Sequence, residues 1–344
     1  MRIYGKMTLG SVLAMAVIAA GIGAATEAGA ETIWNFNVFG GKRAMTKGME
    51  VIQEDLGKAG AGTFEMKIHY ASALGPEKQI PENVKIGAYE AGAHCVGYYP
   101  NKYPLLSVME LPFLAPRDTE ASAKVQKAVM AHPLIVAELK DRWNSMYLGP
   151  QFLPGYEFMG NRRIETTADM KGVKMRISGL NAQALQVFGA VPTMVTAPEG
   201  YTALDRGTID SFGFPYSYAF GSYKMYEVSK YVTEGLGMSG FMCFQGVSID
   251  AWNKAPEAVR NALPAAQERG EQEMLKAYAE ADEKWIPIFK ERLEVVTIKP
   301  EVRAEIARGS EKIWEQWVAD QEEKGRPGRE MLDFVKGLVA NYEK

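Results

Sequence analysis

Strand and helix patterns alternate between residues 32 and 98, and this alternation constrains the fold more than any other feature of the chain. Short apolar runs typical of strands occupy 32–39, 64–70 and 91–98, and helical patterns at 44–56 and 76–86 lie between them. A repeated strand–helix–strand order predicts a parallel sheet that presents ligand-binding loops at the carboxyl ends of its strands. The sequence therefore predicts an α/β fold.

The length of the chain and its breaker residues predict a second domain. The chain has 344 residues, whereas a typical domain has about 100–200. Glycine- and proline-bearing segments at 150–155 and 235–240 are the predicted crossing points between the two domains. A helical pattern then extends over 256–292, and its two internal prolines, Pro264 and Pro287, are expected to kink or break it.

The N-terminal segment has the pattern of a secretory signal peptide. Arg2 and Lys6 precede an apolar run at 9–22, and the Ala-Gly-Ala at 28–30 fits a cleavage site. The alternative, a membrane anchor, needs about 20 apolar residues, and neither this run nor a later one reaches that length. We therefore predict cleavage after 1–30, a periplasmic location, and no direct membrane insertion of the mature chain.

Charge and motif content argue against several classes of function. The net charge of −3 offers no basic surface for a nucleic acid or an anionic membrane. The chain has three histidines, and H-E-x-x-H, G-x-S-x-G, phosphate-loop and paired-cysteine zinc patterns do not occur. We therefore expect no catalytic residues and no cofactor, and we interpret the chain as a binding protein and not as an enzyme.

The two cysteines, Cys95 and Cys243, both lie in apolar runs that predict buried strands. Their simplest interpretation is as two separate small core residues. A disulfide is the alternative, since export to an oxidising compartment permits one. The sequence alone does not bring the two residues within bridging distance.

A short strand pattern at 173–177 carries Arg176 near its carboxyl end, and Ser178 and Gly179 form a turn after it. Ligands of open α/β folds bind beyond strand ends, and a guanidinium there fits a carboxylate with two parallel hydrogen bonds. The alternative is a surface arginine whose aliphatic stem packs along the strand end.

Several separately spaced segments resemble the extracytoplasmic solute receptors of TRAP transporters. The stretch 169–215 contains KMRI, a helix, GAVP and PEGYTALDRGTID in the order of that family, nearer its 2-oxo-acid branch than its sialic-acid branch. The segments ALGPEKQIPENVKIGAYEAG and VMELPFLAPR resemble its N-terminal lobe. The resemblance implies a two-lobed, periplasmic-binding-protein-like fold (type II-like) with a long helix spanning both lobes. The implied lobe I is 31–150 plus 241–288, and lobe II with the C-terminal helices is 151–240 plus 289–344.

The same resemblance implies a role for Arg176, which would form the salt bridge to the carboxylate of a bound organic acid. It also places aromatic residues on loops around the cleft, including Tyr99 beside the third strand. The ligand-binding residues expected on this basis are Arg176, Phe214, Tyr156, Phe212, Tyr98 and Phe39. The implied partners are a small-molecule organic acid and the membrane permease subunits of the transporter.

The chain departs from better-known branches of the family at three cleft positions. Tyr156 stands where the sialic-acid branch has a second arginine, and Phe214 stands where that branch has an asparagine. The 2-oxo-acid branch has an acidic residue followed by tryptophan that helps to hold a metal ion, and Gly213 and Phe214 replace these two. We therefore predict that no metal assists binding.

These departures leave one carboxylate anchor beside an aromatic volume. The expected ligand is a monocarboxylate with an apolar or aromatic body, such as a 2-oxo, 2-hydroxy or aryl acid. A C4-dicarboxylate receptor is the alternative if a second positive charge reaches the cleft from Lys42, Arg43 or Arg163. The alternative from another class is an exported enzyme that acts on a carboxylate.

Overall fold

The computed structural model describes residues 32–99, 101–177 and 179–342. The predicted signal peptide, 1–30, lies outside these ranges. Two β-sheets with helices packed against them form the described part, which confirms the predicted two-lobed α/β fold. None of the helices in these ranges combines the length and hydropathy that crossing a membrane requires.

The strands agree with the predicted alternation, although several end earlier than their apolar runs. Within the described residues they are, in chain order, β1 (Thr32–Asn37), β2 (Phe64–His69), β3 (Ala91–Cys95), β4 (Ser145–Pro150), β5 (Tyr156–Gly160), β6 (Lys174–Arg176), β7 (Val191–Pro192), β8 (Ser211–Pro215), β9 (Tyr231–Glu234), β10 (Cys243–Ser248) and β11 (Glu294–Thr297).

The α-helices of the same ranges are α1 (Lys47–Gly60), α2 (Ile80–Lys85), α3 (Thr119–Met130), α4 (Pro133–Trp143), α5 (Asn181–Gln186), α6 (Gly200–Asp205), α7 (Tyr218–Ser222), α8 (Ile249–Lys254), α9 (Glu257–Arg292), α10 (Pro300–Glu322) and α11 (Gly328–Ala340). Short 3-10 turns occur at Ala44–Thr46, Glu77–Gln79, Val96–Tyr98, Leu106–Glu110, Thr167–Met170 and Met225–Glu227.

The first sheet has the strand order β2-β1-β3-β10-β4. Strand β1 is parallel to both β2 and β3, as the strand–helix–strand pattern predicts. Strand β10 comes from much later in the chain and lies antiparallel between β3 and β4. The chain therefore enters the first lobe twice.

The second sheet has the order β11-β9-β5-β8-β6-β7 and is mixed in direction. Strands β6 and β8 are parallel neighbours, and their register pairs Arg176 with Phe212. Strand β5 is antiparallel to β8 and pairs Tyr156 with Pro215. This sheet therefore places 156–160, 211–215 and 174–176, which are far apart in sequence, side by side as three neighbouring strands.

The cysteines correct the simplest sequence interpretation, because Cys95 and Cys243 form a disulfide. They are directly paired across β3 and β10, with their Cα atoms 4.0 Å apart. The residues are 148 positions apart in the sequence, so only the pairing of the two strands brings them together. They are therefore not two independent core thiols.

Helix α9 confirms the long helix spanning both lobes that the family resemblance implies, but it corrects the expectation about its prolines. It is a single helix of 36 residues that contains both Pro264 and Pro287, which were expected to kink or break it. Both prolines lie on the exposed side of the helix, where water can hydrate the carbonyl groups that lack an N–H partner. The helix packs on α1 and β4 of the first lobe and on α7 and β11 of the second.

The C-terminal helices also contact both lobes. Ile306 of α10 belongs to the hydrophobic core of the second sheet, whereas Trp317 further along α10 packs with residues of α3 and α4. The Trp317 indole donates a hydrogen bond of 2.8 Å to the Ser107 hydroxyl. The lobe boundaries within 31–344 stay predictions.

Candidate functional site

A cavity of about 440 Å³ lies between the two sheets, near the ends of β1, β3, β5, β6 and β8. This volume includes space that is open to solvent. The first lobe contributes Phe39 and Tyr98 to its walls, and the second contributes Tyr156, Arg176 and Phe214. The cavity thus suits a small ligand held from both sides.

Arg176 is the last residue of β6, and its side chain is almost fully buried, with 2% of its surface exposed. Its guanidinium donates from Nε to the Val195 carbonyl at 2.7 Å and from Nη1 to the Gly213 carbonyl at 3.3 Å. Nη2 donates to the Tyr98 hydroxyl at 3.3 Å, which links the second lobe to the first. These bonds fix the orientation of the guanidinium.

No carboxylate of the described residues forms an ion pair with Arg176. The rings of Phe212 and Phe214 flank its guanidinium, with centroids 4.4 and 5.3 Å from Cζ. Cation–π contacts and carbonyl dipoles compensate part of the lost hydration, but neither neutralises the charge. A buried cation of this kind favours binding of an anion, because an uncompensated buried charge costs several kcal/mol.

Aromatic side chains make up much of the remaining wall. The Tyr156 ring stacks on Phe241 with centroids 3.4 Å apart and meets the Phe214 ring edge-on at 6.3 Å. On the first-lobe side, the rings of Phe39 and Tyr98 meet edge-on at 5.6 Å. Ring faces of this kind exclude water and fit an apolar or aromatic body.

Five of the six expected ligand-binding residues line this cavity: Arg176, Phe214, Tyr156, Tyr98 and Phe39. Phe212 does not line it, because its fully buried ring lies against the guanidinium of Arg176. The expectation for Tyr99 was wrong. Strand β3 ends at Cys95 and the 3-10 turn that follows buries Tyr99 in a separate core, where its hydroxyl donates to the Glu77 carbonyl at 2.7 Å.

Of the three cations considered as a second positive charge, only Arg43 reaches the cavity. Lys42 is exposed and pairs with Glu50 at 2.9 Å. Arg163 is exposed and pairs with Glu165 and Glu294. The sequence alone could not distinguish the three, because the packing of the loops that carry them decides which one is buried.

Glu110 is a cavity residue that the sequence did not single out. Its Oε1 accepts a hydrogen bond of 2.7 Å from the Met242 N–H, and its buried Oε2 has no partner among the described residues. Burial raises the pKa of this carboxyl to about 8, and the nearby N–H groups of Met242 and Gly97 act in the opposite direction. Glu110 is therefore mostly protonated at pH 7 and balances little of the charge of Arg176.

The described residues contain no cluster of three or more histidine, cysteine, aspartate or glutamate side chains that could hold a metal ion. Gly213, at the position where the 2-oxo-acid branch has an acidic ligand, contributes only its carbonyl, which accepts from Arg176. A side chain there would press on Ile177, whose Cδ1 lies 3.0 Å from the position of a Cβ.

Curated relatives and solved structures with a similar fold were found for the chain. It is 29% identical over 193 residues to a solute-binding protein of Verminephrobacter eiseniae, covering 54% of this chain and 55% of that protein. It is 25% identical over 235 residues to a monocarboxylate 2-oxoacid-binding periplasmic protein of Nostoc sp., covering 67% and 64%. The chain thus matches these two relatives over less than two thirds of their length.

Solved structures that share the fold include two TRAP solute binding proteins. A TRAP solute binding protein from Rhodoferax ferrireducens in complex with copurified benzoate has a TM-score of 0.81 and 22% identity, covering 90% of this chain and 98% of that one. A marine-metagenome TRAP solute binding protein specific for aromatic acid ligands has a TM-score of 0.77 and 21% identity, covering 91% and 100%.

The family model for bacterial extracellular solute-binding proteins, family 7, matches residues 38–321, which is most of the chain. The matched range contains the second sheet, the first sheet apart from β1, the residues that line the cavity and helix α9. The chain therefore belongs to the family 7 bacterial extracellular solute-binding proteins.

Proposed function

We propose that this protein is the periplasmic receptor of a TRAP transporter. In this proposal it captures a monocarboxylate with an apolar or aromatic body, namely a 2-oxo, 2-hydroxy or aryl acid, and delivers it to the membrane permease. One observation carries the proposal: Arg176 is a buried cation without a carboxylate partner among the described residues, and it opens onto an aromatic cavity. A carboxylate would complete the ion pair, and the rings would enclose its body.

The relatives support this class of ligand. The Nostoc relative is named for monocarboxylate 2-oxoacids, and the Rhodoferax structure contains benzoate. The metagenome protein is described as specific for aromatic acids. Each of these ligands has one carboxylate on an apolar or 2-oxo body, which matches a cavity with a buried guanidinium and ring faces.

Binding in this proposal couples the two lobes. Arg176 from the second lobe would hold the carboxylate, while Tyr98 from the first lobe keeps its hydroxyl on the same guanidinium. The closed form is favoured to the extent that the ligand binds it more tightly than the open form. Export by the signal peptide 1–30, the lobe boundaries and docking on the permease belong to the same proposal.

Replacement of Arg176 tests the anchor. Arg176→Gln keeps a polar side chain but removes the charge, and we expect it to weaken monocarboxylate binding by on the order of 2–5 kcal/mol. Isothermal titration calorimetry with benzoate, phenylpyruvate and mandelate measures this loss. Arg163→Gln, at an exposed arginine paired with Glu165 and Glu294, is the matched control and should bind like the wild type.

Two results contradict the proposal in different ways. Unchanged affinity in Arg176→Gln would refute the role of Arg176 in binding the carboxylate. Stabilisation of the wild type by succinate or malate, but by no monocarboxylate in a thermal-shift screen, would replace the ligand class with C4-dicarboxylates. Recovery of the bound acid unchanged after long incubation distinguishes a receptor from an exported enzyme that consumes it.

A further inference from the structure

The cavity contains a second guanidinium, that of Arg43, which follows the turn at Gly40-Gly41. Its Nη1 donates to the carbonyls of Phe39 at 2.9 Å and Gly41 at 2.7 Å. Its Nη2 contacts the Met45 sulfur at 4.0 Å, which is a weak acceptor. Within the described ranges no carboxylate forms an ion pair with Arg43, so its charge and some of its five donors remain available to a ligand.

The hydroxyl of Tyr223 lies in the same part of the cavity wall. It is buried and has no hydrogen-bond partner among the described residues. Cζ of Arg43 is 5.6 Å from the centre of the Tyr223 ring. Gly40 makes this convergence possible: it has φ +67°, and a Cβ there would collide with both the Tyr223 hydroxyl and the Arg43 guanidinium. A buried hydroxyl without a partner costs free energy that a ligand acceptor would recover.

Aromatic rings separate this group from Arg176. On one side, Arg43 lies 5.0 Å from the Phe39 ring, which meets the Tyr98 ring, whose hydroxyl accepts from Arg176. On the other side, the Tyr223 ring lies 5.5 Å from the Phe214 ring, which flanks Arg176. Two rings therefore lie between the two guanidiniums along each of these two paths of contacts.

We propose that Arg43 and Tyr223 form a second polar subsite that binds an oxygen substituent of the ligand at the end remote from its carboxylate. The preferred ligand is then an aryl acid that carries a ring hydroxyl or a ring carboxylate. This inference rests on the proposed function, since it assumes that Arg176 binds the first carboxylate. An acid without a second oxygen leaves the Tyr223 hydroxyl and the free Arg43 donors without an acceptor.

Affinity ratios test the subsite. Calorimetry on the wild type would use benzoate as the reference, with 3-hydroxybenzoate, 4-hydroxybenzoate, isophthalate and terephthalate as the oxygen-bearing acids. We expect at least one of these four to bind about 10- to 100-fold more tightly than benzoate, the range for a hydrogen bond to a charged group. A preference for the hydroxybenzoates would show that the subsite binds a neutral substituent. A preference for the dicarboxylates would show that it binds an anionic one.

Two variants connect that preference to the subsite. Arg43→Met removes the charge at similar length, and Tyr223→Phe removes only the hydroxyl and is therefore the variant that best retains the fold. Both should move the ratio of benzoate Kd to that of the preferred acid toward one, whereas Lys42→Met, next to Arg43 and exposed, should leave the ratio unchanged.

The outcomes separate this inference from the proposed function. If benzoate binds as tightly as all four oxygen-bearing acids, or if both variants keep the wild-type ratio, the second subsite is refuted and the monocarboxylate receptor stands. If none of the aromatic acids binds, while aliphatic 2-oxo or 2-hydroxy acids do, the aryl class is refuted and Arg176 keeps its role. If no monocarboxylate binds, both proposals are refuted.

Discussion

We expect the free energy of unfolding of this protein to fall between mildly acidic and neutral pH. Replacing Glu110 with glutamine should remove a large part of that fall. Glu110 is 2% exposed, and burial raises its pKa from the ordinary 4.5 to about 8. Glutamine has nearly the same shape and cannot ionise. Its amide oxygen can still accept the hydrogen bond from the Met242 N–H.

The direction of this pH effect depends on whether the folded or the unfolded chain holds the proton of Glu110. Below pH 4.5 the folded and unfolded chains both carry a protonated Glu110, so the contribution of this group to stability is complete. Between pH 4.5 and about 8 the unfolded chain releases the proton while the folded chain keeps it, and stability falls as the pH rises. Within this range the free energy of unfolding falls by about 1.4 kcal/mol for each pH unit. Roughly 3 kcal/mol is therefore lost between pH 4.5 and pH 7 in the wild type, but not in Glu110→Gln.

Urea unfolding followed by tryptophan fluorescence at several values from pH 4.5 to pH 8 measures this change. The quantity to compare is the difference in unfolding free energy between Glu110→Gln and the wild type. Burial also raises the pKa of Glu157, to about 7, but this group is present in both proteins and cancels in the difference. Glu268→Gln, at an exposed glutamate of α9, is the control and should show a difference independent of pH. If the difference in unfolding free energy between Glu110→Gln and the wild type is also independent of pH, the claim that Glu110 is a buried, protonated carboxyl is refuted.

Two further predictions concern stability. Reducing the Cys95–Cys243 disulfide should lower the unfolding free energy by roughly 2–5 kcal/mol, because it closes a long loop. Urea unfolding with and without reductant measures this, and an identical midpoint would show that the thiols are not bridged. Gly179→Ala should cost about 1–3 kcal/mol more than Gly207→Ala. Both glycines have positive φ, but only a Cβ at Gly179 would collide with another group, Oε2 of Glu110. Equal losses of unfolding free energy for the two variants would mean that the Glu110 side chain moves away from the added Cβ without a cost in stability.

The sequence predicted the parts of the fold that depend on local pattern. The strand–helix alternation of the first lobe and the strand that ends at Arg176 follow from periodicity and turn residues, and the structure contains both. The disulfide could not be predicted in this way, since it depends on the register between β3 and β10. The continuity of α9 depends on which side of the helix its prolines occupy.

The site was predicted in part for similar reasons. Phe212 and Phe214 alternate with Gly213 and therefore point to the same face of β8, so the pattern cannot say which ring meets the cavity and which lies against Arg176. Tyr98 and Tyr99 are adjacent, and the early end of β3 decides that only Tyr98 faces the cavity. Tertiary contacts within the second lobe and between the lobes decide these placements, and no local pattern encodes them.

The prolines of α9 have a consequence for how the lobes move. Pro264 and Pro287 lack the N–H that would complete the hydrogen-bond ladder, so the resistance of the helix to bending is lowest near these two positions. The segment between them, 265–286, is about 33 Å long at 1.5 Å per residue and contains no further proline.

This middle segment carries contacts to both lobes. Gly270 packs closely on Gly48 of α1 in the first lobe. Tyr278 donates a hydrogen bond of 2.7 Å to the Phe152 carbonyl, and its ring lies 5.0 Å from that of Tyr218 in the second lobe. The segment therefore acts as a stiff rod shared by both lobes. We therefore expect that, when the lobes move, the helix bends near Pro264 and Pro287 and not within 265–286.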